Sequence, residues 1–431
     1  MRFLPPLALL LTASVALAQP AKEPHMVFAH YMVCFATYGE SIEAYQREMK
    51  EAQAAGIDGF ALNVGAWTKE PHYIRRTKLI YEAAKQLNSD FKLFFSVDMS
   101  IVPDVQDMIR TYAHHPNQFM YHGKTVVSTF AQEGLDWKTL ILDPLRQEGV
   151  DIFFVPHFYP RPNVTELPDY AVVMDNYRKH ADVMDGMFYF GAAGLPEQLA
   201  ASNAAHARAM KEVGKLCMAS YTPHYWGFSQ PNRRYYETQG GIGTEVQWRS
   251  IIESQPEWVE IVTWSDFQES SYISPIVNPG QYFSQLLTPP RNCHAGYLEL
   301  TKYFIQWYKQ GQPPAIERDG LFYCYRVHPK DAKPTTEDRP VTAFYGPVED
   351  VLYVTTLLTT PGQVRVTSGG EVSVHDQPAG LAHLKIPFKT GPQRFEVLRD
   401  GKAICTVDGP VIEEQPEKLN FFPATGYAYS R

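Results

Sequence analysis

Residues 26–65, MVFAHYMVCFATYGESIEAYQREMKEAQAAGIDGFALNVG, contain two short apolar runs with an amphipathic segment between them. The runs at 26–35 and 57–65 are apolar at most positions, which is typical of strands buried on both faces. The segment between them, SIEAYQREMKEAQAAG, repeats its apolar residues with the period of an amphipathic helix. The stretch therefore predicts two parallel strands joined by a helix.

Six similar runs follow along the chain, with helical patterns between most of them. They are FKLFFSVDM (91–99), KTVVSTF (124–130), VDIFFVPHFYP (150–160), MDGMFYFG (184–191), LCMASYTPHYW (216–226) and VEIVTWSDF (259–267). Eight apolar strands that alternate with helices predict a parallel sheet covered by helices and closed as a (β/α)8 TIM barrel. A doubly wound open sheet is the alternative fold.

The chain changes character after a last predicted helix, AGYLELTKYFIQWYK (295–309). Pro313 and Pro314 end this helical pattern, and β-rich segments with Gly and Pro turns follow. They predict an all-β sandwich. We therefore expect a barrel at 19–312 and a β-sandwich domain at 313–431.

The first 18 residues predict a secretory signal peptide, because Arg2 and an apolar stretch precede a small-x-small cleavage site at Ala16-Leu17-Ala18. No later stretch approaches the roughly 20 apolar residues of a membrane-spanning helix. We expect a soluble protein that is exported to the periplasm or the medium and has no membrane partner. The formal net charge of -8 disfavours nucleic acid as a partner. An aromatic content of 13% favours uncharged, ring-shaped ligands.

The chain has five cysteines, an odd number for an exported protein. Cys34 and Cys217 lie in apolar runs, and we expect them to be buried and inert. Cys324 and Cys405 belong to the same C-terminal region and are candidates for a disulfide bridge. Cys293 has no assigned partner.

Two sets of polar residues mark the two ends of the predicted barrel. One set precedes strands and consists of Asp58, Asp151 and Asp185. We expect these aspartates to lie at the bottom of the barrel, where they cap loops or pair with neighbouring helices. At the opposite ends, polar residues within or just after the strands should converge on one face. His30 and His294 belong to this second set. For His30, a hydrogen-bonded core histidine is an equally good interpretation, and for His294, an ordinary histidine at a helix end is.

Carboxylates are the chemistry that remains after other catalytic motifs are excluded. The sequence has no GxSxG, HExxH or phosphate-cradling GxxxxGK motif, and no GxGxxG after a strand. In TWSDFQESSY (263–272), Asp266 and Glu269 follow the last predicted strand, three residues apart. An extended chain separates them by up to about 10 Å, which suits the acid and base of an inverting glycosidase. An ion pair with an arginine, or capping of the next helix, is the alternative role.

Sugar binding would need donors and flat rings around this pair. The candidate substrate-binding residues are His30, Asn63, Asp98, His157, Tyr159, Tyr221, His224, Trp226, Trp264, Tyr272 and His294. A core aromatic cluster is the alternative for the segment around His157. We predict no metal and no organic cofactor.

Several segments together resemble glycoside hydrolase family 71, the α-1,3-glucanase or mutanase family. They include VFAHYMV, AQAAGIDGFALNVG, VEIVTWSDFQESSYI and YVTTLLTTPGQVRVTSGG. The resemblance implies inverting endo-hydrolysis of α-1,3-glucan on a (β/α)8 barrel followed by a β-sandwich, with Asp266 and Glu269 as the catalytic carboxylates. We assign Glu269 as the general acid and Asp266 as the base that activates water. Hydrolysis of another α-glycan such as α-mannan, and carbohydrate binding without catalysis, are the alternatives.

Overall fold

The computed structural model describes residues 24–228, 233–276, 294–336 and 338–431. The predicted signal peptide at 1–18 and Cys293 lie outside these residues. Within them, no helix combines the length and the apolar character needed to cross a membrane.

Strands and helices alternate in the first part of the chain. The strands are β1 (Met26–Met32), β2 (Gly59–Val64), β3 (Lys92–Val97), β4 (Met120–Tyr121), β5 (Lys124–Phe130), β6 (Ile152–His157), β7 (Gly186–Phe188), β8 (Leu216–Tyr221), β9 (Tyr225–Trp226), β10 (Arg234–Tyr236) and β11 (Trp258–Ile261). The helices are α1 (Ile42–Ala54), α2 (His72–Leu87), α3 (Val102–Tyr112), α4 (Asp143–Gln147), α5 (Tyr170–His180), α6 (Pro196–Val213), α7 (Gly240–Ser254) and α8 (Ala295–Gln310). A π-helical turn at Lys138–Leu142 leads into α4.

Helix α1 shows how local sequence determines these elements. The Ser41 hydroxyl caps its first turn by accepting a hydrogen bond from the Ala44 N–H at 3.2 Å. Its buried face consists of Tyr45, Glu48, Met49 and Ala52, the spacing of one helical stripe. A carboxylate, Glu48, is therefore buried among apolar residues.

Eight parallel strands form one curled sheet in the order β6-β5-β3-β2-β1-β11-β8-β7. Strand β1, the first along the chain, pairs with β11, the last of the eight, which a doubly wound order does not allow. The ends of the sheet approach each other, since the Asp185 N–H donates to the Phe154 carbonyl of β6 at 2.9 Å. The structure confirms the mixed α/β class of the predicted (β/α)8 barrel, with eight parallel strands in one curled sheet.

Alternation along the strands gives the sheet two apolar faces. The concave face packs a cluster that includes Phe28, Phe94 and Met218. The convex face packs against the helices and includes Tyr31 and Tyr221. A polar residue near a strand end therefore faces the inside or the helices according to its parity.

The three aspartates at the bottom of the sheet have the predicted structural roles. Asp58 forms an ion pair with Lys309 of α8 at 2.7 Å, and Asp151 contacts Arg146 at 3.1 Å. Asp185 accepts a hydrogen bond from a backbone N–H of β6 at 3.0 Å.

The C-terminal part is all β. Its strands are β12 (Gly320–Arg326), β13 (Ala343–Tyr345), β14 (Val351–Leu358), β15 (Gly362–Ser368), β16 (Glu371–Gln377), β17 (Gly380–Pro387), β18 (Gly391–Arg399), β19 (Lys402–Ile412) and β20 (Pro423–Tyr429). Two antiparallel sheets, β17-β14-β12-β20 and β16-β15-β18-β19, share one apolar core. These sheets agree with the predicted C-terminal all-β region.

The predicted bridge between Cys324 and Cys405 is wrong, because both thiols are free. Cys324 lies on the face of β12 that packs against the helices, where the Tyr297 hydroxyl is 3.1 Å from its sulfur. Cys405 lies in the core between the two sheets. Cys217 is buried, as predicted, whereas Cys34 is only half-buried.

The C-terminal part also reaches back over the parallel sheet. Strand β13 pairs in parallel with β10, and β10 pairs with β9, forming a three-stranded sheet. Strand β9 follows closely after β8, so this small sheet lies near the carboxyl ends of the parallel strands.

Candidate active site

The segment after β11 folds back on the carboxyl ends of the strands. The Trp264 N–H donates to the His30 carbonyl of β1 at 2.7 Å, and the Thr263 N–H donates to the Ser271 carbonyl at 2.9 Å. The Asp266 N–H donates to the Thr263 hydroxyl, also at 2.7 Å. These bonds form a tight loop that presents Asp266 and Glu269, both partly exposed.

The Asp266 carboxylate is held by its own loop. Its Oδ1 accepts the Glu269 N–H at 3.0 Å. Burial raises the pKa of Asp266, while the backbone N–H donors and the charge of His30 act in the opposite direction. Asp266 is therefore the better-stabilised anion of the pair.

The Glu269 carboxyl is held from β9. Its Oε1 accepts a hydrogen bond from the Tyr225 hydroxyl at 3.0 Å, and its carbonyl accepts the Trp226 N–H at 2.9 Å. Burial raises the pKa of Glu269, and the neighbouring charge of Asp266 raises it further. Tyr225 and Arg234 oppose this rise. Of the two groups, Glu269 has the more strongly raised pKa.

His30 is both a core histidine and a neighbour of the acids. It is buried, and its Nδ1 lies 2.6 Å from Oε1 of Glu260 on the adjacent strand. Burial raises the pKa of Glu260, and the bond to His30 opposes this rise. The charge of His30 also lowers the pKa of Asp266 and Asp98, so the imidazole acts on both carboxylates.

Asn63 lies on β2 and Asp98 directly follows the neighbouring β3, both on the concave face. The Asn63 amide donates to Asp98 Oδ2 at 3.4 Å, a long hydrogen bond. Burial raises the pKa of Asp98, which remains partly exposed. The two side chains suit hydrogen bonding to hydroxyl groups.

His157 and Tyr159 stand at the carboxyl end of β6. The buried His157 Nδ1 accepts the Phe190 N–H at 3.2 Å. Burial lowers the pKa of His157 to about 3, so the ring is neutral. Its centroid lies 4.7 Å from the ring of Tyr159, which is partly exposed. Burial, with the charges of nearby carboxylates including Glu269, raises the pKa of Tyr159.

Two predicted binding residues face the helices. Tyr221 is buried on the convex face, where its hydroxyl lies 2.9 Å from that of Thr244 in α7. Trp264 is also buried there and donates from its indole N–H to Glu48 of α1 at 2.7 Å. The structure does not bring either ring to the acids.

Four further residues that were predicted to bind substrate are buried beneath the loop after β11. His224 contacts the Ser270 hydroxyl at 3.0 Å, and Trp226, His294 and Tyr272 are fully buried. The His294 and Tyr272 rings stack at 3.8 Å. Burial lowers the pKa of His294 to about 3. These side chains pack beneath the loop and leave no ring face for a sugar.

Sequence reasoning left Tyr225 out of the selected binding residues and missed Arg234 and Glu260. Tyr225 stands between two residues that were chosen, but alternation along β9 places it on the opposite face. Arg234 donates to the Tyr225 hydroxyl at 3.4 Å. Glu260 did carry a signal, since a carboxylate in the apolar run VEIV is unusual for a buried strand.

Glu48 supports a prediction about stability. The Tyr31 hydroxyl and the Trp264 indole donate to its two oxygens at 2.9 and 2.7 Å, and burial raises the pKa of Glu48 to about 8. The folded chain therefore keeps a proton that the unfolded chain releases above pH ~4.3, and stability falls as pH rises. From pH 6 to pH 7.5, the free energy of unfolding of Glu48→Gln minus that of wild type should therefore increase by about 2 kcal/mol.

Urea unfolding at several pH values measures this gain. The control is Glu253→Gln, an exposed carboxylate at the end of α7, whose difference from wild type should not change with pH. A pH-independent difference for Glu48→Gln would contradict the prediction.

Among the residues that the structure describes, no three His, Cys, Asp or Glu side chains form a metal-binding group.

Comparisons with known proteins agree on one family. The family model described as glycosyl hydrolase family 71 matches residues 23–429. The glucan endo-1,3-alpha-glucosidase agn1 of Schizosaccharomyces pombe is 30% identical, over 98% of this chain and 98% of its own length. The mutanase Pc12g07500 of Penicillium rubens is also 30% identical, over 90% of this chain and 85% of its own length.

A solved structure supports the fold. The GH99 endo-alpha-mannosidase from Bacteroides thetaiotaomicron superposes with a TM-score of 0.53 and 14% identity, covering 66% of this chain and 98% of that one. At this identity the likeness concerns the fold alone.

Proposed function

Because the chain belongs to glycosyl hydrolase family 71, we propose that it is a secreted endo-hydrolase of α-1,3-glucan. Family membership makes the chain a glycoside hydrolase. The proposed substrate is taken from the name of the Schizosaccharomyces pombe glucan endo-1,3-alpha-glucosidase, which is 30% identical over 98% of the chain. Export through a signal peptide at 1–18 is part of the proposal.

The proposed site is the loop after β11. The observation that supports it is the unequal environment of two neighbouring carboxyls. Asp266 accepts a backbone N–H, whereas Glu269 lies against a tyrosine hydroxyl and carries the additional effect of the Asp266 charge. Groups whose pKa values are pushed apart in this way suit division into a base and an acid.

The mechanism is single-step inversion. Glu269 donates its proton to the leaving glycosidic oxygen while Asp266 removes a proton from the attacking water, through an oxocarbenium-like transition state. Asn63 and Asp98 would hold sugar hydroxyls on one side, and His157 with Tyr159 on the other.

We also propose that the parallel sheet closes into a barrel and that the two antiparallel sheets form a sandwich. The strand order with β1 beside β11, and the bond from Asp185 to Phe154, support closure into a (β/α)8 barrel. The common core of the two antiparallel sheets supports a β-sandwich. We place the boundary between 312 and 313, after the end of α8.

The activity is tested by incubating the purified protein with α-1,3-glucan, yeast α-mannan and α-1,4-glucan, and measuring new reducing ends. We expect release from α-1,3-glucan, with oligosaccharides of mixed length as endo-cleavage requires. Nuclear magnetic resonance of fresh products should show the β-anomer first, as inversion demands. Release only from mannan would replace the substrate, and binding without products would favour a non-catalytic protein.

A further inference from the structure

Three tyrosines form a row across the small sheet above the parallel strands. In the register of this sheet, Tyr225 of β9 is opposite Tyr236 of β10, and Tyr236 is opposite Tyr345 of β13. Residues paired in this way point to the same face. The row begins at the Tyr225 hydroxyl, which donates to Glu269, and ends at a residue from the C-terminal part of the chain.

The last ring of the row is open to solvent. The rings of Tyr225 and Tyr236 meet edge to face at 5.6 Å. Those of Tyr236 and Tyr345 stack at 4.4 Å with an interplanar angle of 6°. Tyr236 is only 6% exposed, whereas Tyr345 is 40% exposed. One face of the Tyr345 ring is thus fixed by stacking, and the other is available to a ligand.

Polar groups stand beside the row. Arg234 lies two residues before Tyr236, on the same face of β10. Its guanidinium contacts the Glu166 carboxylate at 3.2 and 3.3 Å and the Tyr225 hydroxyl at 3.4 Å. Arg234 and Glu166 are both partly exposed. A fixed flat ring beside a hydrogen-bonding fork suits a neutral ring with many hydroxyl groups.

We propose that Tyr345, with Arg234 and Glu166, forms an outer sugar-binding subsite of the catalytic cleft, which takes a glucose ring of the α-glucan chain remote from the cleaved bond. The inference rests on the proposed function, whose site it extends. Two strand spacings place Tyr345 roughly 10 Å from Tyr225, beyond the reacting sugar. Continuity with the Tyr225–Glu269 hydrogen bond supports a glucan chain as the occupant.

The subsite gives the C-terminal part a share in substrate binding. Strand β13 is held against the first part of the chain, since the Glu237 N–H donates to the Tyr345 carbonyl at 3.0 Å. Binding at a remote ring can then contribute to catalysis on long chains. Short substrates cannot reach Tyr345 and gain nothing from it.

The test compares kcat/KM on a ladder of reduced α-1,3-gluco-oligosaccharides. Tyr345→Ala and Tyr345→Leu should each lower kcat/KM about 10-fold or more on the longest oligosaccharides and less than 2-fold on the shortest one cleaved. Tyr345→Phe should stay near wild type, because stacking needs the ring and not the hydroxyl. The matched control is Phe344→Ala, a comparably exposed aromatic on the opposite face of the same strand.

Binding without turnover separates this inference from the proposed function. Calorimetric titration of the Glu269→Gln protein with a long oligosaccharide should give a Kd about 10-fold lower than that of the double variant with Tyr345→Ala. Equal Kd values, or equal losses at every chain length, would overturn the subsite. Failure of wild type to cleave any α-1,3-glucan would instead overturn the proposed function. Cleavage of α-mannan and of no α-glucan would overturn the assignment of a glucose ring to this subsite.

Discussion

Glu269→Gln and Asp266→Asn should each lower kcat on α-1,3-glucan by about 10³-fold or more. General acid or base catalysis contributes about 10²–10⁴-fold, and loss of the base removes both proton transfer and the orientation of the water. Both carboxyls are replaced by amides of the same shape, so folding should be retained. The change is measured as reducing-end release, with thermal unfolding as the check on structure.

Leaving-group dependence distinguishes the acid from the base. On an aryl α-glucoside chain whose phenol leaves without a proton, Glu269→Gln should recover most of its rate, because protonation is no longer needed. Asp266→Asn should remain slow on the same substrate. The opposite pattern would exchange the two roles. Asp90→Asn, an exposed carboxyl before β3, is the control and should behave as wild type on both substrates.

The pH profile gives an independent measurement. Activity should rise as Asp266 ionises and fall as Glu269 loses its proton, so the two raised pKa values bound the active range. Glu269→Gln should abolish the basic limb. In Asp266→Asn, the basic limb of the residual activity should lie at a lower pH than in wild type. The reason is that the Asp266 charge no longer raises the pKa of Glu269.

The sequence predicts the alternating strands and helices of the parallel sheet because their signal is local. Each apolar run is long enough to bury a strand on both faces, and each helix carries one apolar stripe, as in α1. The loop after β11 is also local, so Asp266 and Glu269 could be selected from their spacing. No long-range information was needed for these features.

The sequence predicts less accurately whether a side chain at a strand end faces the inside of the sheet or the helices. Tyr221 and His157 both end apolar strands, yet Tyr221 packs against α7 while His157 faces the inside. Parity separates them only when the concave face of each strand is known. The position of Tyr345 is harder still to predict, because strand pairing across more than a hundred residues places it beside Tyr236.

Glu260→Ala should lower the free energy of unfolding by about 3–5 kcal/mol, the cost of leaving one member of a buried pair without its partner. His30 and Glu260 are both buried and lie 2.6 Å apart. Denaturant unfolding at neutral pH measures the loss. The double variant His30→Leu with Glu260→Met should recover most of it, since apolar residues of similar volume replace a buried pair at little cost. A loss below about 1 kcal/mol for Glu260→Ala would show that the pair is not coupled.

Glu260→Gln tests whether the pair also serves catalysis. His30 acts on three carboxyls here: it lies against Glu260, and its charge lowers the pKa of Asp266 and Asp98. Neutral His157 is nearby. The Glu260 carboxylate lies 2.6 Å from Nδ1 and so fixes the imidazole whose charge lowers the pKa of Asp266. Glu260→Gln should therefore raise the pKa of Asp266 and move the acidic limb of the kcat/KM profile to higher pH, while the basic limb stays in place. A purely structural role would lower the whole profile without moving either limb, so the direction of the shift decides between positioning of the base and support of the fold.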